Sequence, residues 1–176
     1  MAPARSSLRF RSSLLIVTFV VTMLAHAANA ARWREDVIPV IDYTSGTAWG
    51  PIIEHQVDAL NDALPRGAPR FRYRDKREKS CDEIRRDRAA ISVCSTKRLS
   101  KFAATSTTRR ESIISEALIY LREDQISLGD NRVCHELMHA VTAVLDAYGT
   151  QPESCVRGSL STFGDWDVDL LRQEYE

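Results

Sequence analysis

The segment with the clearest potential for chemistry is His135-Glu136-Leu137-Met138-His139. Two histidines four residues apart lie on one face of an α-helix, so both imidazole rings can reach a single metal ion. Zinc suits imidazole nitrogen, and a catalytic zinc site needs three protein ligands with the fourth position left to water. The spacing therefore predicts a site for one Zn²⁺, with His135 and His139 as ligands.

Glu136 is the residue in this segment that could move a proton. Next to a metal-binding histidine, its carboxylate is expected to contact the water at the metal rather than the metal itself. There it can accept a proton as the water attacks a polarised carbonyl, and deliver that proton to the leaving amine. We therefore expect Glu136 to be the general base of an amide hydrolysis. The alternative is a buried helix whose histidines are only packed or hydrogen-bonded.

A helix must present these residues, and the sequence predicts one over roughly residues 131–145, with Asp130 or Asn131 as its N-cap. Apolar residues at helical spacing predict another helix over residues 48–64, stopped by Pro65 and Gly67. The C-terminal stretch, from Trp166 to Tyr175, has the same spacing and predicts a last helix.

Strands are expected on either side of the first helix and before the second. Short apolar or alternating segments predict them at residues 37–43, 71–74, 89–93 and 117–121. The run Thr105-Ser106-Thr107-Thr108 is expected to be a loop. The order of elements predicts an α+β (mixed α/β) fold, a single domain with one mixed sheet and helices packed on it.

The first thirty residues differ in composition from the rest. Arg5, Arg9 and Arg11 precede an apolar run from Leu14 to Ala25, and the small residues Ala28-Asn29-Ala30 follow. This arrangement is typical of a secretory signal. We therefore expect residues 1–30 to be a signal peptide, cleaved near Ala30, and residues 31–176 to be a secreted catalytic domain. No later segment is apolar for 18 residues, so no membrane association is expected after cleavage.

Cysteine content supports the same compartment. The four cysteines, Cys81, Cys94, Cys134 and Cys155, all follow the expected cleavage site. An even number behind a secretory signal favours disulfides, with three possible connectivities. The sequential pairing, Cys81 with Cys94 and Cys134 with Cys155, closes two short loops and is favoured. A cysteine zinc site would need close Cys-x-x-Cys pairs, and the sequence contains none.

Charge gives little guidance to partners. Without the three arginines of the signal, the chain has a slight excess of acidic residues. Residues 66–88 are rich in arginine and lysine, but acidic residues are interspersed and the strand pattern alternates. This is more typical of a solvated sheet edge protected by charge than of a nucleic-acid surface. We expect no nucleic-acid partner, and a monomer that acts on a protein or peptide substrate.

The segments VIPVIDY, EALIYL and VCHELMH, in this order around the expected helices, resemble the metzincin clan of zinc peptidases. Small secreted matrixin-like and snapalysin-like enzymes are the most similar, and the resemblance covers most of residues 31–176. It implies His135 and His139 as the first two zinc ligands and Glu136 as the base. It also implies a third ligand after a glycine-mediated turn, which is His in most members and Asp in the snapalysin-like ones.

This chain departs from the family pattern after His139. Thr142 occupies the glycine position, and Asp146 lies one residue beyond the family's third-ligand spacing. Seven residues of unbroken helix would carry Asp146 about 10 Å along the axis, past the metal. Asp146 is thus the expected third ligand only if the helix ends soon after His139. Weaker candidates are His55, Glu153 and the acidic group Asp165, Asp167 and Asp169.

A second departure concerns the methionine turn beneath the metal in metzincins, because no methionine follows Met138. Residues 153–158 occupy its place, and a Cys134–Cys155 bridge would tie them to the residue before His135. The expectation is a secreted zinc-dependent endopeptidase. Its alternatives are a non-catalytic, zinc-stabilised binding module, an inactive interaction protein on a peptidase fold, and a hydrolase of non-peptide amides.

Overall fold

A six-stranded sheet lies at the centre of the computed structural model, which describes residues 31–44, 46–84, 88–143, 154–156 and 160–176. Residues 31–176 form one compact unit. Its strands are β1 (Arg32–Trp33), β2 (Val37–Asp42), β3 (Arg70–Asp75), β4 (Ile91–Thr96), β5 (Ala103–Arg110) and β6 (Ile113–Arg122). Its helices are α1 (Trp49–Ala63), α2 (Gly129–Thr142) and α3 (Asp165–Tyr175), with short 3-10 turns at Cys81–Glu83 and Glu123–Leu128.

The sheet is parallel except at one edge. Strands β3, β2, β4 and β6 are neighbours in that order and run parallel, with Val40 of β2 between Tyr73 and Ile91. The short β1 also pairs in parallel with the start of β6. Strand β5 is antiparallel to β6 along its whole length, with a bulge between Thr108 and Arg109. Strand β5 therefore forms the edge of the sheet.

Apolar periodicity explains how α1 and α2 cover one face of the sheet. In α1, Trp49, Ile53, Val57 and Leu60 are buried, three or four residues apart, so one stripe of the helix faces the core. The two helices approach closely at Gly129, where a Cβ would lie 2.5 Å from Ile52 Cδ1. This contact holds the start of α2 against α1.

The opposite face of the sheet carries a smaller apolar cluster. Ile41, Tyr43, Cys94 and Leu118 point to this side, and Ile84 from the segment after β3 packs on them. A disulfide between Cys81 and Cys94 ties that segment to β4. The cluster thus depends on a covalent link as well as on apolar burial.

The predicted α+β class is confirmed, as are the three helices and the four predicted strands, within a few residues at their ends. Two predictions were wrong. Residues 105–108 are part of strand β5 rather than a loop. Helix α2 begins at Gly129, directly after a 3-10 turn, so Asp130 and Asn131 lie inside its first turn and neither is its N-cap. The predicted end of that helix, at residues 144–145, lies outside the described residues.

The sequential disulfide pairing is confirmed, since the second bridge joins Cys134 to Cys155. Disulfides persist in oxidising compartments, so the two bridges fit an extracellular protein. Within the described ranges, no helix is long and apolar enough to cross a membrane.

Candidate active site

Helix α2 fixes the two histidines from behind. Leu137, Met138 and Ala140 are buried in the core, so the helix cannot rotate without exposing apolar surface. The indole of Trp33 donates a hydrogen bond to the carbonyl of Ala140 over 3.0 Å, which ties the helix to β1. The opposite side of α2 thus carries His135 and His139 into a cleft.

The histidine pair has the geometry of two ligands of one ion. Their Nε2 atoms lie 3.0 Å apart, and the rings meet edge to face at 80°. Two nitrogens bound to one tetrahedral zinc at its usual bond length are about 3.3 Å apart, so only a small adjustment is needed. Without a metal, the same contact is a hydrogen bond between one protonated and one unprotonated Nε2. The donor set and its spacing therefore fit zinc.

Glu136 is placed between the helix and the edge strand. It is 5% exposed, and its Oε2 accepts a hydrogen bond from Thr105 Oγ1 at 2.5 Å. The same hydroxyl lies 3.1 Å from the backbone oxygen of Glu136. No described residue hydrogen-bonds the other carboxylate oxygen. One carboxylate oxygen of Glu136 is thus held by β5, while the other has no hydrogen-bond donor among the described residues.

The cleft in front of these residues has a volume of about 600 Å³. One wall is β5 with the residues just before it, and the other is the exposed side of α2. The residues that line it are Ser100, Lys101, Phe102, Ala103, Ala104, Thr105, Thr107, Arg132, His135, Glu136, His139 and Ala143. Glu136 is the only acidic group among these residues, against two permanent cations.

Helix α2 ends at Thr142, because Ala143 adopts a left-handed backbone conformation with φ of 52°. The amide of Ala143 still donates to the carbonyl of His139 over 3.0 Å. The chain therefore leaves the helix axis one turn after His139, although no glycine is present. This break is the condition under which Asp146 can turn back towards the histidines.

Asp167 anchors the segment that contains Cys155. Its carboxylate is fully buried and accepts hydrogen bonds from Ser154 Oγ (2.6 Å), the Cys155 amide (2.8 Å) and the Gly164 amide (3.0 Å). The Cys134–Cys155 bridge then links this segment to the residue before His135. Helix α3 thereby supports the part of α2 that carries His135.

The remaining predicted ligands do not join the histidine pair where they are described. His55 is largely exposed and lies 3.6 Å from Asp130. Asp167 is occupied by its three donors, and across the described ranges no third His, Cys, Asp or Glu completes a metal site. Asp146 and Glu153 lie outside the described residues. In the described part of the chain, none of His55, Asp165, Asp167 and Asp169 forms a cluster with the histidine pair.

Three functional side chains escaped the sequence reasoning. Thr105 was placed in a loop, Arg132 was not considered, and Asp167 was weighed only as a metal ligand. The threonines between Ala103 and Thr108 are β-branched and favour strands, which was the available signal. Nothing in the sequence pointed to the particular partners of Arg132 and Asp167, since these depend on contacts between distant elements.

No protein-family model matches the chain, and no curated protein matches it at a significant level. Function therefore has to be argued from the site.

Proposed function

We propose that this protein is a secreted zinc-dependent endopeptidase that hydrolyses peptide bonds, with Glu136 as general base. The proposal rests on three side chains that lie together in the cleft. The Nε2 atoms of His135 and His139 are 3.0 Å apart, and the buried Glu136, which Thr105 holds by a hydrogen bond, lies beside them. A helix that merely packed its histidines would not need an adjacent carboxylate aligned by a separate strand.

The end of α2 supports Asp146 as the third ligand. In the family pattern, the third ligand follows the glycine position by three residues. Here Ala143, one residue beyond that position, is the residue in the left-handed conformation. Asp146 follows it by the same three residues, so its one-residue displacement in the sequence matches the one-residue displacement of the helix end.

The edge strand supports a peptide as substrate. Among the described residues, no strand pairs with the outer edge of β5. Its Ala103, Ala104, Thr105 and Thr107 line the cleft. An extended peptide can add to such an edge through main-chain hydrogen bonds. This mode of binding would carry a backbone amide past Glu136 and the histidines.

In the proposed reaction, His135 and His139 hold the metal through Nε2, and Asp146 is the proposed third ligand. Zinc, when bound, supplies a Lewis acid that polarises the carbonyl and makes water a better nucleophile. Glu136 accepts the proton of the attacking water on the oxygen that Thr105 does not hold, and returns it to the leaving nitrogen. Thr105 keeps the carboxylate in a single orientation.

The secretory signal at residues 1–30 belongs to the same proposal, and the two disulfides support it. Export to an oxidising compartment would allow both bridges to form before the enzyme meets its substrate.

The decisive experiment uses the disulfide-bonded protein of residues 31–176 with one equivalent of zinc. We expect cleavage of a mixed peptide library, loss of cleavage on chelation, and recovery on adding zinc. Glu136→Gln should retain zinc and lose at least about a hundredfold in kcat, because an amide cannot accept the proton. Zinc binding without cleavage in the unsubstituted protein would favour the zinc-stabilised binding module. Absence of zinc binding would refute the proposal.

A further inference from the structure

Arg132 is an unpaired cation in the wall of the cleft. It lies one helical turn before His135, and its guanidinium carbon is 5.0 Å from the centroid of the Phe102 ring. Its Nε is buried and has no hydrogen-bond partner. The guanidinium therefore lies against the Phe102 ring, and its donors have no acceptor among the described residues.

The neighbouring Arg122 shows that the two arginines are not equivalent. Arg122 also lies over Phe102, at 5.7 Å. Its Nε and Nη2 donate to the two carboxylate oxygens of Asp124 over 2.6 and 2.8 Å, so its charge is already neutralised. No carboxylate in the part of the chain that the structure describes forms an ion pair with Arg132. Its charge is therefore available to a ligand in the cleft.

We propose that Arg132 binds a carboxylate of the substrate and selects peptides with an acidic residue close to the scissile bond. This inference rests on the proposed peptidase function. A guanidinium presents a planar fork that matches a carboxylate with two parallel hydrogen bonds. Lys101, in the wall formed by β5 and the residues just before it, adds a second positive charge. The cleft thus attracts anionic peptides.

The position of Arg132 sets the range of substrate residues that it can reach. Arg132 precedes His135 by three residues in the helix, which corresponds to about 4.5 Å along the helix axis. Adjacent residues of an extended peptide are about 3.3 Å apart. The recognised carboxylate therefore belongs to a residue within one or two positions of the cleaved bond.

Binding can be measured apart from catalysis. The probes are uncleavable peptide pairs that differ only in Glu or Gln at one position, scanned over two positions on each side of the bond, and titrated into zinc-loaded Glu136→Gln protein. At one position we expect the Glu peptide to bind about tenfold more tightly, since charge-assisted hydrogen bonds exceed neutral ones. The preference should weaken in high salt.

Variants assign the preference to one side chain. Arg132→Gln should abolish it, and Arg132→Lys should retain only part of it, because lysine lacks the planar fork. Arg72→Gln, an exposed substitution on strand β3 outside the cleft, should leave it unchanged. Unfolding curves for each variant show that the fold is intact. Equal binding of both peptides at every position, or a preference that survives in Arg132→Gln, would overturn the inference.

Hydrolysis by the unsubstituted enzyme separates this inference from the function on which it rests. Cleavage of acidic and neutral peptides at equal rates would leave the peptidase standing and refute the role of Arg132. An Arg132-dependent binding preference without any cleavage would support the carboxylate site and refute the peptidase.

Discussion

At the level of single residues, Thr105 is the contact through which the edge strand acts on the proposed general base. Its hydroxyl holds one oxygen of Glu136 from across the cleft. Glu136 itself is almost fully buried, whereas Thr105 is half-buried and lines the cleft. Thr105 is therefore a positioning residue, which acts on the reaction only through Glu136.

Removing the hydroxyl should affect turnover more than binding. We expect Thr105→Val to lower kcat about tenfold while KM and zinc content remain near their original values, because the carboxylate loses its orientation but the cleft keeps its shape. Thr105→Ser is the matched control and should recover most of the activity. Steady-state kinetics on one peptide measure kcat and KM for both variants. An equal loss of kcat in Thr105→Val and Thr105→Ser would show that packing, and not the hydrogen bond to Glu136, is responsible.

Asp146 is the proposed third zinc ligand, and its role can be tested directly by zinc affinity. If it is the third ligand, Asp146→Ala should lower zinc affinity as much as His139→Ala does, and activity should fall with it. Metal titration under identical conditions compares the two variants. Unchanged zinc affinity in Asp146→Ala would contradict the proposed role of Asp146 and would count against the resemblance to the metzincin clan.

At the level of elements, the end of α2 is the feature on which the proposed role of Asp146 depends. Where a helix ends at a residue in the left-handed conformation, that residue is usually glycine, because a Cβ is strained in that conformation. Ala143 adopts it with a side chain. The resulting strain must be outweighed by the packing of α2, whose buried residues include Leu137, Met138 and Val141.

This strain predicts the sign of a substitution. Ala143→Gly should raise the free energy of unfolding by about 1 kcal/mol and leave zinc binding intact, because glycine adopts φ of 52° without penalty. Ala140→Gly, inside the same helix, should lower it by about the same amount or more. Urea unfolding of both variants provides the test, and a loss of stability in Ala143→Gly would contradict the helix end described here.

Sequence periodicity was sufficient for most elements but not for the contacts between them. The helices α1 and α2 follow from apolar spacing because each buries one stripe. The histidine pair follows from the helical repeat alone. Strand β5 does not follow from local pattern because its short polar side chains resemble a loop. Its strand structure comes from pairing with eight residues of β6. The partners of Asp167 and Arg132 lie on other elements, which no local pattern encodes.

At the level of the whole molecule, segments that are far apart in the sequence contact one another around the site. Helix α2 is tied to β1 through Trp33, to β5 through Thr105, and to the C-terminal segment through Cys134–Cys155. The hydroxyl of Tyr175, at the end of α3, donates to the carbonyl of Val141 over 2.7 Å. At the β3 edge of the sheet, the hydroxyl of Tyr73 donates a hydrogen bond to the buried Asp42 over 2.9 Å. Two of these connections thus depend on a protonated tyrosine.

These tyrosines make the fold sensitive to alkali. Burial raises the pKa of Tyr175 above its usual value, and burial together with the hydrogen bond to Asp42 raises the pKa of Tyr73. The ordinary value of about 10 applies to the unfolded chain. Because the folded pKa values are the higher ones, the folded state binds more protons above pH 10. The stabilisation is therefore complete below about pH 10 and decreases as the pH rises further.

We expect the free energy of unfolding, measured with urea, to be level between pH 8 and 9.5 and to decrease from about pH 10 upwards. Tyr175 can contribute at most about 1.4 kcal/mol per pH unit, and Tyr73 less, since solvent screens its exposed part. The double variant Tyr73→Phe, Tyr175→Phe should be less stable at pH 8 and should show a shallower alkaline decline. Tyr120→Phe, on β6, removes a hydroxyl that hydrogen-bonds no described residue and should keep the original slope. An identical alkaline slope in the double variant would mean that other groups, and not these two links between elements, limit stability at high pH.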